Sequence, residues 1–185
     1  GPAMEKLVEA GALAGVIDYT LSELANALLG GLHATGPDRL RVTGRHGLPQ
    51  VVVPGCVDFF NQGAPDTLPE RYRGRKSYYH NPVATLVRLE REEMIELGRV
   101  VADRLNDARG PVRIVAPSQG FSLADVEGGD LWDPDGDAAF LDALASGLRA
   151  DIPVELVDTH VNDPAFADLV ADRYLALISV PKQTT

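Results

Sequence analysis

The run Leu13–Gly31, LAGVIDYTLSELANALLGG, decides how this chain reads. Its first part, Leu13 to Tyr19, is a compact apolar segment closing on an acid, the pattern of a strand buried in a parallel sheet. Thr20-Leu21-Ser22-Glu23 then has the form of a capping box, a hydroxyl followed three residues later by Glu. Leu21, Leu24, Ala25, Leu28 and Leu29 recur at helical spacing, and Gly30-Gly31 stops the helix. A strand that feeds directly into a helix is one βα unit. It puts Asp18 and Thr20 at the carboxyl end of a strand, the edge where open α/β sheets bind ligands.

The same unit recurs downstream. Gln50 to Val53 is a second strand, stopped by Pro54-Gly55. Pro82 to Leu89 reads as a third, before a helix that opens with Glu90-Arg91-Glu92-Glu93, acids matched to the helix dipole. Met94, Leu97, Val100, Val101 and Leu105 form that helix's apolar face. Pro111 to Pro117 is a fourth strand, Asp137 to Ala150 a helix, and Ile152 to Val157 a fifth strand. Asp163-Pro164 starts the last helix, with Pro at its first position. Shorter helices are expected at Met4 to Ala10 and around Asp38 to His46, and His33 and His46 face solvent. The fold class is α/β: a three-layer Rossmann-like domain with a mostly parallel sheet of about five strands. Residues 1–3 read as a protease-cleavage remnant, 4–180 as one domain and 181–185 as a frayed tail.

Composition narrows the function classes. The net charge of −10 argues against a general nucleic-acid binder. One cysteine, Cys56, and no signal-like start favour a reducing, cytoplasmic setting. No apolar run reaches the ~20 residues that span a bilayer.

The stretch Pro54–Asn81, PGCVDFFNQGAPDTLPERYRGRKSYYHN, reads as one long loop of turn formers, aromatics and cations. Such loops carry function more often than fold. Polar sets therefore gather along the carboxyl edge. Asp18, Gly55, Asp58, Asn61 and Asn81 are candidate ligand contacts, and so are Gly120 and Ser122 in the turn after the fourth strand. Asp158 and His160, two apart on an extended segment, form a candidate acid–base pair, with His80 as a second proton carrier and Asn162 beside them. The bland alternative is an Asp–His pair that only fixes the start of the last helix. The acidic turn Gly128 to Gly136 lacks calcium-loop spacing, and no residue is assigned to a metal. GxSxG, HExxH and paired-Cys motifs are absent.

Five runs carry a resemblance: GVIDYTLSELANALLGG from Gly15, GPDRL from Gly36, GLPQVVVPGCVDFFNQGAPDTLPERYRGRKSYYHNP from Gly47, GFSLAD from Gly120 and DTHVNDPAFAD from Asp158. Together they resemble the second half of the Tm-one-like ATP-binding proteins, a family named after a tomato mosaic virus resistance protein. The resemblance implies two Rossmann-like halves, of which this chain is the carboxyl-terminal one. It implies ATP as cofactor, with magnesium, at a site that involves the amino-terminal half. The sequence departs from the family where Thr85-Leu86-Val87-Arg88-Leu89-Glu90 stands for TLMRTT, where Gln62 replaces an aromatic, and where Ser118-Gln119 replaces Leu-Arg.

The leading expectation is one wall of a nucleotide or small-molecule cleft, completed by the amino-terminal half of the same protein or by a separate chain. A second is an interaction module forming a homo-oligomer, with Phe59-Phe60 and Tyr78-Tyr79 as exposed anchors. A third is a small-metabolite hydrolase or lyase using the Asp158–His160 pair.

Overall fold

The computed structural model describes residues 1–179. The frayed tail expected at 181–185 lies outside the described residues.

Four parallel strands form the central sheet: β1 (Val16–Thr20), β2 (Gln50–Gly55), β6 (Val112–Pro117) and β7 (Val154–Val157), in that order. Register pairs Val16 with Gln50, Gln50 with Val112, and Ile114 with Val154. β2 is central and buried along its whole length, which its β-branched run Val51-Val52-Val53 suits. Helices α2 (Ser22–Leu29), α4 (Arg91–Asn106) and α5 (Pro134–Gly147) cover one face, where Leu24, Met94, Leu97, Phe140 and Leu144 join Val52 and Ile114 in the main core. Helix α6 (Pro164–Ile178) covers the other face, packing Phe166 and Val170 on Val51, Val53 and Val115. Two short helices, α1 (Pro2–Glu9) and α3 (Val42–Arg45), complete the set. This is the three-layer Rossmann-like arrangement the sequence announced. Gly98 sets the close approach of α4 and α5, because a Cβ there would stand 2.7 Å from the Phe140 carbonyl oxygen.

Local expectations held at both ends of the chain. Gly30 takes the left-handed conformation (φ 69°) at the end of α2. Asp163 caps α6, its carboxylate accepting from Ala165 N–H at 2.8 Å, with Pro164 at the first position.

Two expectations change. Thr20 is not a helix cap: β1 runs through it, and Leu21 takes the N-cap of α2 without a side-chain bond. A capping box does exist at α4, where Glu90 and Glu93 cap each other reciprocally. Nor is Pro54–Asn81 one irregular loop. It contains β3 (Phe59–Gln62) and β4 (Ser77–Asn81), which flank β5 (Ala84–Arg88) in a separate antiparallel sheet of order β3-β5-β4. The third strand expected for the parallel sheet is thus the middle of this second sheet. Phe60 and Val87, on one face, are fully buried in the main core, and Tyr72 packs edge-on against Phe60 with centroids 4.8 Å apart. Phe59 is also buried, at 8% exposure. The Phe59-Phe60 pair is core, not an exposed anchor, and of the two tyrosines only Tyr79 is exposed.

Candidate functional site

The carboxyl ends of β1, β2 and β6 converge on one corner. Leu21 N–H donates to Gly55 O and Cys56 N–H to Phe121 O, both within 3 Å. The polar residues expected to act together there divide into separate groups.

The first group is a sealed cluster. Asp58, just before β3, accepts a hydrogen bond from Ser122 Oγ at 2.7 Å. Arg88, at the end of β5, lies 3.8 Å from Asp58 and 3.4 Å from Asp125, and pairs with Asp137 at the start of α5. Asp58 and Asp125 are fully buried and Arg88 is 3% exposed. One guanidinium faces three carboxylates out of water, a charge balance that favours holding protons. Burial first, then the Asp125 charge, pushes the Asp58 carboxyl up to about 7 against the pull of Arg88 and Ser122. Burial also pushes Asp137 up, against the pull of Arg88. Asp58 Oδ1, Asp125 Oδ1, Asp137 Oδ2 and two Arg88 nitrogens have no hydrogen-bond partner.

Asp18 is buried in a second ion pair. Arg39 spans its carboxylate with both terminal nitrogens and lies 3.5 Å from Glu5 and from Glu23. Two of the glycines serve packing: a Cβ on Gly55 would run into the Tyr19 carbonyl oxygen, and one on Gly120 (φ 113°) into that of Asp125. Cys56 has φ 58°, and burial, Asp58 and Glu23 push its thiol up to about 12.

Asp158 and His160 do not meet. Asp158 accepts from Gln119 Nε2 at 2.6 Å and Ser118 Oγ at 3.2 Å. His160 Nε2 lies 3.0 Å from Ser122 O and 3.2 Å from Asp125 O, and its Nδ1 accepts from Asn162 N–H at 3.2 Å. Both ring nitrogens hold backbone, so the imidazole acts as a clamp on the Ser122–Asp125 segment. Asn162 supplies that contact through its backbone.

The third group forms a concavity. Asn61 on β3, His80 and Asn81 on β4, and Ser22 and His33 around α2 line an open cleft of about 500 Å³. Asn26 of α2 builds its floor. Its Oδ1 accepts from Asn61 N–H at 2.9 Å and His33 N–H at 3.2 Å, while its Nδ2 donates to Asn61 Oδ1 at 3.1 Å and Ser22 O at 2.8 Å. Asn81 Oδ1 accepts from Val83 N–H at 3.0 Å, setting the β4–β5 turn. The rim is apolar and open: Leu32 is 64% exposed and Val83 73%. Cavities lined by apolar groups with a few converging polar ones are the usual form of small-molecule sites.

Of the expected residues, then, Asn61, His80 and Asn81 come together in the cleft, Asp58 and Ser122 in the sealed cluster with His160 and Asn162 behind its backbone, and Asp158 apart on Ser118 and Gln119. Arg88, Asp125 and Asp137 were not expected, nor were Asn26, His33 and Gln62 in the cleft. Arg88 had a signal, a lone charge inside the apolar run Pro82–Leu89; Asn26 had another, an amide within an apolar helix stripe.

A profile of the uncharacterised protein family (UPF0261) C-terminal domain matches residues 1–178. The chain belongs to that family. Among its curated relatives, a UPF0261 protein of Rhizobium meliloti is 42% identical over 94% of this chain and 44% of its own length. One of Clostridium tetani is 34% identical over 96% of this chain and 44% of its own. The ToMV resistance protein Tm-1(GCR237) of Solanum lycopersicum is 31% identical over 96% of this chain and 24% of its own. This UPF0261 domain therefore spans less than half the length of the bacterial relatives it matches. Its kinship with the tomato resistance protein bears out the family resemblance read from the five runs. Among the described residues no helix is long and apolar enough to cross a membrane.

Proposed function

We propose that this UPF0261 domain forms one wall of a small-molecule cleft, completed by the amino-terminal half of the full-length protein, with ATP and magnesium brought by that half. The observation that carries the reading is the concavity of about 500 Å³ between α2 and the antiparallel sheet. It lies beside the carboxyl end of β1, the edge at which α/β sheets take ligands. Its open side and exposed Leu32 and Val83 suit a surface that a second wall covers. The relatives' greater length supplies chain for that wall.

The test is thermal melting of this chain and of a version extended by the amino-terminal half, each with and without Mg-ATP. A ligand that binds the native state raises the melting temperature by mass action. A rise in the longer protein alone is the expected result. A rise in neither, or an equal rise in both, overturns the shared wall.

A second reading, a homo-oligomer docking through the same rim, is favoured by the exposure of Tyr79 and Val83 on adjoining strand and turn. Under it, sedimentation shows a concentration-dependent dimer that Val83→Asp abolishes; a monomer at every concentration removes it.

A further inference from the structure

We infer that the part of the ligand seated against Asn61 and His80 is uncharged, a hydrogen-bonding ring or sugar, and that any phosphate or carboxylate it bears lies beyond this wall. The inference rests on the shared-cleft reading and gives it a ligand class.

The cleft lining holds no Asp, Glu, Lys or Arg. In a chain that is 24% charged, with net charge −10, that is a selective exclusion. Three other depressions among the described residues differ. One beside α4 and α5 is lined by Arg91, Arg99 and Asp142; one at the start of α4 by Arg75, Lys76 and Glu90; one beside α1 by Glu5, Lys6 and Asp38. An anion in the neutral cleft would lose its water for no cation while sitting in the field of an acidic protein.

What the cleft does offer is neutral polarity on an apolar bed. Asn61 and Gln62 are each 8% exposed and line it. Among the described residues, no protein group hydrogen-bonds Asn61 Nδ2 or the Gln62 side-chain amide; Asn61 bonds through its Oδ1, its backbone N–H and its carbonyl, which accepts from Leu32 N–H. Asn81 likewise uses only its Oδ1. Three amide groups are thus left to pair with a guest, beside Phe59 and Leu86, which give a flat apolar contact. These amide groups reach water, and a guest that displaces that water must replace its hydrogen bonds. The rest of the same sheet face is closed by Ala124 and Leu131, packed on Phe59 and Leu86.

The experiment is an NMR titration with matched pairs at pH 8, where a free imidazole is uncharged. The pairs are adenosine with its 5′-monophosphate and glucose with its 6-phosphate, added to this chain and to the longer protein. The neutral member of at least one pair is expected to move the side-chain amide resonances of Asn61, Gln62 and Asn81. Its phosphorylated partner should bind at least about tenfold more weakly. Gln62→Arg, which puts a cation in the cleft without removing a protein hydrogen bond, should shift that ratio about tenfold toward the phosphorylated member. Tighter binding of the phosphorylated member by the unaltered chain overturns the ligand class. So does the failure of every neutral member to move those resonances in either protein. If Mg-ATP still stabilises only the longer protein in those cases, the shared wall stands and the ligand class alone falls; if it does not, both fall.

Discussion

The two ends of the small antiparallel sheet make opposite use of polarity. At one end, Asp58 and Arg88 enter a sealed cluster with Asp125, Asp137 and Ser122. Three residues along β3, roughly 10 Å away at about 3.3 Å per residue, Asn61 opens on a cleft lined by no carboxylate, ammonium or guanidinium. The groups with the strongest chemistry, carboxylates and a guanidinium, are spent on joining β2, β3, β5 and α5 into one body. The polar groups that line the cleft are mostly amides and imidazoles. Charge in this protein is a fastening, while the cleft presents weaker dipoles that cost less to leave open to water.

Breaking the fastening should have the largest effect. Arg88→Met leaves three buried carboxylates with no counter-charge, and urea unfolding should show a loss of about 3–5 kcal/mol. A loss under about 1 kcal/mol would mean the cluster holds nothing together. Next comes the pH response. Asp58 binds its proton more tightly when folded than unfolded, so between about 4 and about 7 the native state carries the extra proton. Stability therefore falls as pH rises through that window and is fullest below it. Asp58→Asn, a neutral mimic of the protonated acid, should flatten that fall, which amounts to a few kcal/mol at most; an unchanged melting profile from pH 4 to 8 would contradict the charge balance. On the cleft side, Asn26→Ala removes the floor's paired hydrogen bonds. It should cost about 1–3 kcal/mol and broaden the Asn61 and His33 amide signals. The smallest effect belongs to the rim. Val83→Ser should change stability by no more than about 0.5 kcal/mol, yet weaken the response of the longer protein to Mg-ATP; an equal response would take Val83 out of the shared wall.

The contrast also explains what could be read from residues alone. The parallel strands and the long helices announced themselves because their apolar periods are long and uninterrupted, as in Val51-Val52-Val53 or Met94, Leu97 and Val101. The antiparallel sheet did not. Its first strand, Phe59-Phe60-Asn61-Gln62, is four residues with no alternation, and two single-turn 3-10 segments separate it from β4. Pairing at that distance is set by the tertiary fold. The candidate site was legible only in part, because a list of polar residues at strand ends cannot tell an ion pair from an open group. Asp18 and Asp58 found buried arginines, whereas Asn61, His80 and Asn81 kept faces toward solvent. Thr20 misled for a simpler reason: the strand runs one residue further than its apolar core suggests, and the helix cap falls on Leu21.

Cys56 offers a clock. It is the one thiol in the chain, set at the hinge between the parallel sheet and the antiparallel one, with its amide tied to Phe121 O. A thiol held near 12 is almost wholly unreactive at neutral pH. An alkylating reagent at pH 8 should therefore label the native protein slowly and the unfolded chain at an ordinary rate. Compared with and without a ligand in the cleft, the labelling rate would report whether filling one side of the small sheet tightens the other.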